Sequence, residues 1–443
     1  VNRVHRRLAV LPAIALLGSV LIAPAALANE PQTLVIAQEP PEISFHDPNG
    51  DGWGAGDFFT FVASVVAEDG REGTIMGEHR VTAMPTDGPM AEYRVGVAVI
   101  DLGGGDTIVF GGQTGVETTQ EMMTPGDPLR RVVLGGTGAF AGVYGENVSV
   151  RAEDGSWTHT LTFEPVDPAG MVTEIVAEGV SAPVTEIEMT GEAGMQRGDV
   201  RTWEMEAETT DGDPVTLYGL HFRTIGEGEK GPGSQTVGIL ALEDANGDRL
   251  IAGGWIQIGP AGDPLPPVGV EIRRPIIGGT GRFLGARGEQ TLVHHGDGLI
   301  TFTSRFTLPP AAAPEETIVF HHDAAAPDGM TDAVAGERTT WEIPLASDAG
   351  EEATLRGHNT LIDLADADEP THRAAGLSTI TFADGSTILL SDIRRLDPET
   401  GLVSGRCVRA ILGGTGRFAG ISGEVTRTKE ADGQVRLEIA IQR

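Results

Sequence analysis

Three arginines, Arg131, Arg274 and Arg409, each stand four residues ahead of a glycine motif, and Glu146, Glu289 and Glu424 follow at one fixed offset. An arginine and a carboxylate repeated in register can form a structural ion pair or a charged pair in a site. With a turn between them, neighbouring strands are expected to bring them face to face. The motif itself is Gly135-Gly136-Thr137-Gly138, then Gly278-Gly279-Thr280-Gly281, then Gly413-Gly414-Thr415-Gly416, each with phenylalanine two residues on. It lacks the Gly-Lys-Ser/Thr ending of a phosphate loop, so its glycines are read as a tight turn between strands. Asp47-Pro48-Asn49-Gly50-Asp51-Gly52 matches the opening of a calcium loop, with Asp47, Asn49, Asp51 and the later Asp57 as oxygen ligands. The twelfth position is Phe58 where a bidentate glutamate would stand, so a plain turn competes with a calcium site. His294-His295 and His321-His322 are adjacent pairs, and strand neighbours point to opposite faces, so neither pair alone makes a metal site. The sequence holds no Gly-x-Ser-x-Gly, His-Glu-x-x-His or Cys-x-x-Cys, hence no hydrolase or redox signature; calcium is the one cofactor its spacing suggests.

The elements that must position these residues are strands. Past each motif, alternation is kept without insertion: Trp157, His159, Leu161 and Phe163; Ile300, Phe302, Ser304 and Phe306; Val435, Leu437, Ile439 and Ile441. Period two means one buried and one polar face. Phe61, Trp203 and Trp341 recur in an upstream strand, and turn sequences at Gly103–Asp106, Asn246–Asp248 and Asp384–Gly385 fall at matching points. No long helical pattern follows the N-terminal segment. The chain is therefore read as all-β, three tandem eight-stranded antiparallel β-barrels over 32–166, 172–309 and 316–443, packed as a pseudo-trimer within a monomer. Length agrees: 443 residues exceed one hydrophobic core. The single Cys407 excludes an intrachain disulfide, and a formal charge of −33 argues against nucleic acid or an anionic membrane as partner. Residues 1–28, with Arg3, Arg6 and Arg7, an apolar run and Ala26-Leu27-Ala28, read as a bacterial export signal, and an uncleaved anchor is the competing reading. After cleavage the protein is expected in the periplasm or medium, free of the membrane.

Gly278-Gly279-Thr280-Gly281-Arg282-Phe283-Leu284-Gly285-Ala286-Arg287-Gly288 resembles the dirigent proteins and the allene oxide cyclase barrel superfamily. His46-Asp47 and His322-Asp323 look like the pair that opens the first strand region of dirigent sequences. The resemblance implies an eight-stranded barrel with a cavity open at one end, and cofactor-free chemistry that couples radicals or closes rings. It points to Asp47, Arg287 and Asp323 as pocket residues. The position of Arg287 is Tyr144 in the first copy and Ser422 in the third, so the copies are not expected to act alike. The expected function is binding of an apolar small molecule, with steering of its cyclisation or coupling. The alternative is a non-catalytic exported protein that keeps only the scaffold.

Overall fold

The computed structural model describes residues 30–165, 173–181, 184–189, 196–226, 233–259, 265–310, 313–323, 336–363, 371–396, 406–431 and 433–443. The expected export signal lies outside them. The first sheet holds β1 (Gln32–Gln38), β2 (Glu42–His46), β3 (Phe58–Ala67), β4 (Glu72–Ala83), β5 (Glu92–Asp101), β6 (Thr107–Val116), β7 (Pro128–Thr137), β8 (Tyr144–Arg151) and β9 (Trp157–Glu164). Neighbours pair antiparallel, β1 pairs β9, and β1 also pairs β3, which closes the sheet. Because β1 and β2 pair with successive parts of β3, they act as one bent strand of an eight-stranded barrel.

The second barrel repeats this plan with β10 (Thr173–Val180), β11 (Thr185–Ile187), β12 (Val200–Thr209), β13 (Pro214–Ile225), β14 (Ser234–Asp244), β15 (Arg249–Ile258), β16 (Glu271–Gly279), β17 (Arg287–Gly296) and β18 (Leu299–Thr307). The third uses β19 (Glu316–Asp323), β20 (Arg338–Ser347), β21 (Glu352–Asp363), β22 (His372–Phe382), β23 (Thr387–Ser391), β24 (Arg394–Leu396), β25 (Arg406–Thr415), β26 (Ser422–Lys429) and β27 (Gln434–Gln442). The expected fold class is the observed one.

Each barrel has its own inner core, for example Ile75, Ala98, Phe110 and Leu161 in the first. A fourth core joins all three: Met76, Val97, Val132 and Leu134 pack with Leu220, Ile239 and Ile277 and with Leu377, Leu389 and Leu412. Strands on the joined sides are therefore buried on both faces, and β4 to β7 read as near-continuous buried runs. Solvent-side β9 keeps the expected alternation.

The glycine motifs do more than turn the chain. The first glycine allows the next barrel to approach: a Cβ at Gly135 would lie 2.7 Å from Pro275, at Gly278 3.2 Å from Leu412, and at Gly413 2.5 Å from Val132. The last motif glycine takes left-handed backbone in all three copies, at φ 61, 57 and 62° for Gly138, Gly281 and Gly416. Its N–H is taken by a glutamate of another barrel. Gly138 N donates to Glu289 (2.8 Å), Gly281 N to Glu424 (2.5 Å) and Gly416 N to Glu146 (3.2 Å). These three clamps run in a ring, first to second to third to first, and give the packing its pseudo-threefold form. The face-to-face pairing expected of the arginines and glutamates does not occur. Arg131 lies opposite Asn147, one residue from Glu146, and in a strand one residue reverses the face.

Candidate functional site

The first barrel contributes side chains from eight strands to a cavity of about 40 Å³ at one end. Gln38 comes from β1, Phe59 and Phe61 from β3, His79 from β4, Arg94 from β5, Arg131 from β7 and His159 from β9. Inward positions alternate along each strand, so on β4 Ile75, Gly77 and His79 share the inner face, while Met76, Glu78 and Arg80 face the other barrels. Gly77 leaves room for the Phe61 ring, since a Cβ there would lie 2.7 Å from it. His79 then stacks on Phe59 and Phe61 at 5.2 and 5.8 Å. Met122 and Met123, unbranched and adaptable, stand half-buried at the cavity wall.

Two polar systems meet there. In the first, His159 Nε2 lies 2.7 Å from Gln38 Oε1, and Ser149 Oγ lies 2.9 Å from His159 Nδ1 and accepts from Asn147 Nδ2 at 2.9 Å. The donors close only if His159 donates through Nε2 and accepts from Ser149 through Nδ1. Burial, followed by the charge of Arg131, pushes His159 down to about 3, so the imidazole is neutral. Both nitrogens of His159 are thus satisfied within this chain, and no carboxylate among the described residues stands behind the histidine.

The second system is open. Arg94 pairs with Glu92, which also accepts from Trp53 Nε1 at 2.8 Å. Arg131 donates to Thr114 Oγ1 at 3.1 Å, and no carboxylate among the described residues pairs with it. Arg131 Nε, Arg94 Nη2, His79 Nδ1 and Trp157 Nε1 are buried without hydrogen-bond partners among the described residues. Burial, with the like charge of Arg94, pushes Arg131 down to about 9, which still leaves it cationic at neutral pH. Burial, then Arg131 and Arg94, holds His79 well below the usual histidine range. The end of the first barrel thus carries one uncompensated positive charge beside neutral imidazoles and aromatic faces.

The pocket residues suggested by the family resemblance lie elsewhere. The Arg287 guanidinium donates to the carbonyls of Ile277 and, at 2.9 Å, Leu412, with the Tyr144 ring 5.9 Å away; it joins barrels and lines none of the cavities described. Asp47 accepts from Gly50 N at 2.8 Å and Gly52 N at 2.9 Å, and Asp57 from Gly54 N at 2.7 Å, so both carboxylates serve their own loop. Asn49 and Asp51 are exposed, and among the described residues no three His, Cys, Asp or Glu side chains are placed to hold a metal. Asp323 is exposed at the end of β19, where Gln434 Nε2 donates to it at 2.5 Å, and it lines an open groove of the third barrel with His321, His322 and Arg356. His46 stacks on Phe58 at 4.8 Å and packs against Gly198 of the second barrel. Sequence reasoning singled out Arg131 but missed His79, Arg94 and Trp157 as its companions. The signal was available for His79: aligned on Gly77 and Gly219, His221 recurs two residues on in the second copy.

Fold and site together define an all-β, three-barrel protein with a small arginine- and aromatic-lined cavity in its first barrel. No protein-family model matches the chain, and no curated protein sequence matches it. Among solved structures it is similar to a pyocyanin demethylase, at 20% identity over 30% of this chain and 99% of that one, with a TM-score of 0.24.

Proposed function

We propose that this is an exported small-molecule-binding protein whose working pocket is the end of the first barrel. Its ligand is a small, largely apolar or aromatic molecule bearing an oxygen that accepts hydrogen bonds. One observation carries the reading: Arg131, Arg94, His79 and Trp157 bring unpartnered buried nitrogens to one cavity. Buried polar groups without partners cost free energy, and a ligand oxygen held among aromatic faces offsets that cost. Binding fits the geometry better than turnover, because the Ser149–His159 chain is satisfied within itself. In its finer form, resting on the dirigent resemblance, the cavity holds a reactive apolar molecule in one shape and so steers its coupling or ring closure without a cofactor.

Trp157 reports on the cavity it lines. Titrating the full chain with neutral and anionic small aromatics should give a saturable change in emission that Trp157→Phe removes. A panel that leaves the emission of the parent unchanged overturns the reading.

A further inference from the structure

The three barrels answer the same structural question differently. Arg131, Arg274 and Arg409 are all buried and point into their own barrels. On the strand beside each lies one equivalent position, fixed by the ladders. Gly112 pairs with Gly96, Gly254 pairs with Gly238, and Asp392 N donates to Gly376 O at 2.9 Å. Gly96, Gly238 and Gly376 in turn pair with His79, His221 and Asn359. The third barrel therefore has Asp392 where the first two have glycine, and asparagine where they have histidine. Asp392 is fully buried, and its carboxylate sits 3.2 Å from Arg409. In the first barrel the three nearest atoms to a Cβ on Gly112 among the described residues all belong to Arg131, at 3.7 to 3.9 Å, so no carboxylate stands there as Asp392 does.

We propose that the first barrel takes small organic carboxylates, that Arg131 is their counter-ion, and that Gly112 leaves open the place which the third barrel fills with its own carboxylate. This rests on the small-molecule reading above and names the ligand class. Asp392 shows how an anion is held beside the repeated arginine; the ligand's carboxylate takes the corresponding place beside Arg131. A charged buried group without a partner is the costliest kind, so the selection for anions is built into the empty site. A cavity of about 40 Å³ suits a carboxylate group with little else. The body of the ligand then lies toward Met122 and Met123 at the wall.

The test uses the full chain and two probes of nearly equal shape, benzoate and neutral benzamide, at fixed ionic strength. Benzoate at about tenfold over its Kd is expected to raise the melting temperature by roughly 1–3 °C, benzamide much less, and Arg131→Met should lose the benzoate shift. Benzamide acting as strongly as benzoate overturns the carboxylate assignment while leaving small-molecule binding in place. Absence of any shift with benzoate overturns it also. A ligand-free comparison needs no probe. Arg131→Met removes an unmatched charge and should melt no lower than the parent, whereas Arg409→Met strands Asp392 and should melt several degrees lower. If the two variants fall equally, Arg131 already has an internal counter-charge and the proposal fails.

Discussion

Replacing Gly413 by alanine tests whether the motif glycines serve contact between barrels. The added methyl would lie 2.5 Å from Val132 Cγ1, in a core where Val132 is 2% exposed. Valine is stiff about χ1 and cannot simply swing away, so overlap should cost about 1–3 kcal/mol. A φ of 150° at Gly413 adds roughly 1 kcal/mol of backbone strain for a residue with a Cβ. The total expected loss is about 2–4 kcal/mol. Val132→Ala alone should cost about 2–3 kcal/mol through lost burial and a cavity. Together they should cost less than their sum by about 1–2 kcal/mol, because the truncated valine makes room for the new methyl. Gly433→Ala is the control: it has φ 90° with no atom within 4 Å of a Cβ, so it bears strain without overlap. The shared core ties the barrels, so urea unfolding of the parent should be a single transition whose midpoint ranks these variants. Additive costs, or a Gly413→Ala no worse than Gly433→Ala, would refute the close-approach argument.

The ring of clamps predicts that Glu146→Gln, Glu289→Gln and Glu424→Gln each cost about 1–2 kcal/mol, since a charge-assisted bond to a turn N–H becomes a neutral one. Urea midpoints check this, and a triple variant as stable as the parent would show that the clamps are incidental. Stability should also fall with acid. Burial holds His46 near 4 and His159 near 3 in the folded chain, and holds His79, His221 and His358 well below the usual histidine range, while unfolded histidine titrates near 6.5. Unfolded histidines therefore bind protons that the folded ones refuse, and stability drops as pH falls from 6.5 towards 4. The loss is about 1.4 kcal/mol per pH unit for each histidine. Glu78, pushed up to about 7 by burial against a partial offset from Arg80, works the other way over about pH 4.5 to 7. His159→Gln should flatten the acid slope by one proton in melts across that range, and an unchanged slope would contradict the neutral, closed His159 chain.

Much of the architecture was legible because it is written locally. The motif, its fixed offsets and the alternation after it are short-range patterns, and they are enough to count three barrels and their strands. What connects the barrels is not local. Gly413 is a glycine because of Val132, and Gly138 needs a partner at Glu289, residues hundreds or more than a hundred positions away in sequence. A repeat read one copy at a time assigns such residues to a turn, since the turn is the one role visible within the copy. The buried runs of β4 to β7 have the same origin: their outer faces meet other barrels, so the half-polar pattern expected of an antiparallel barrel strand is lost there.

The site was half legible for a related reason. Threefold recurrence marks what the scaffold needs, and Arg287, which interrupts it, drew attention as a pocket residue. Yet the seam between barrels is also a place where copies must differ, because a pseudo-threefold axis brings unlike residues of one alignment column together. Arg80 donates to Thr360 Oγ1 at 2.9 Å and lies 5.0 Å over the Phe222 ring, and these three residues are one column of the repeat. A departure from the repeat is therefore ambiguous until its face is known. Arg287 and Arg80 face the seam, where variation resolves crowding at the axis. Gly112, Gly254 and Asp392 instead sit beside an arginine buried in each barrel; a Cβ at Gly112 would meet Arg131 of its own barrel first, whereas one at Gly254 would also lie 3.7 Å from Val109 of the first barrel. At those inward positions two variables separate glycine from aspartate: the backbone, since Gly112 and Gly254 hold φ of 150 and 132°, and the place that a missing side chain leaves open beside the arginine.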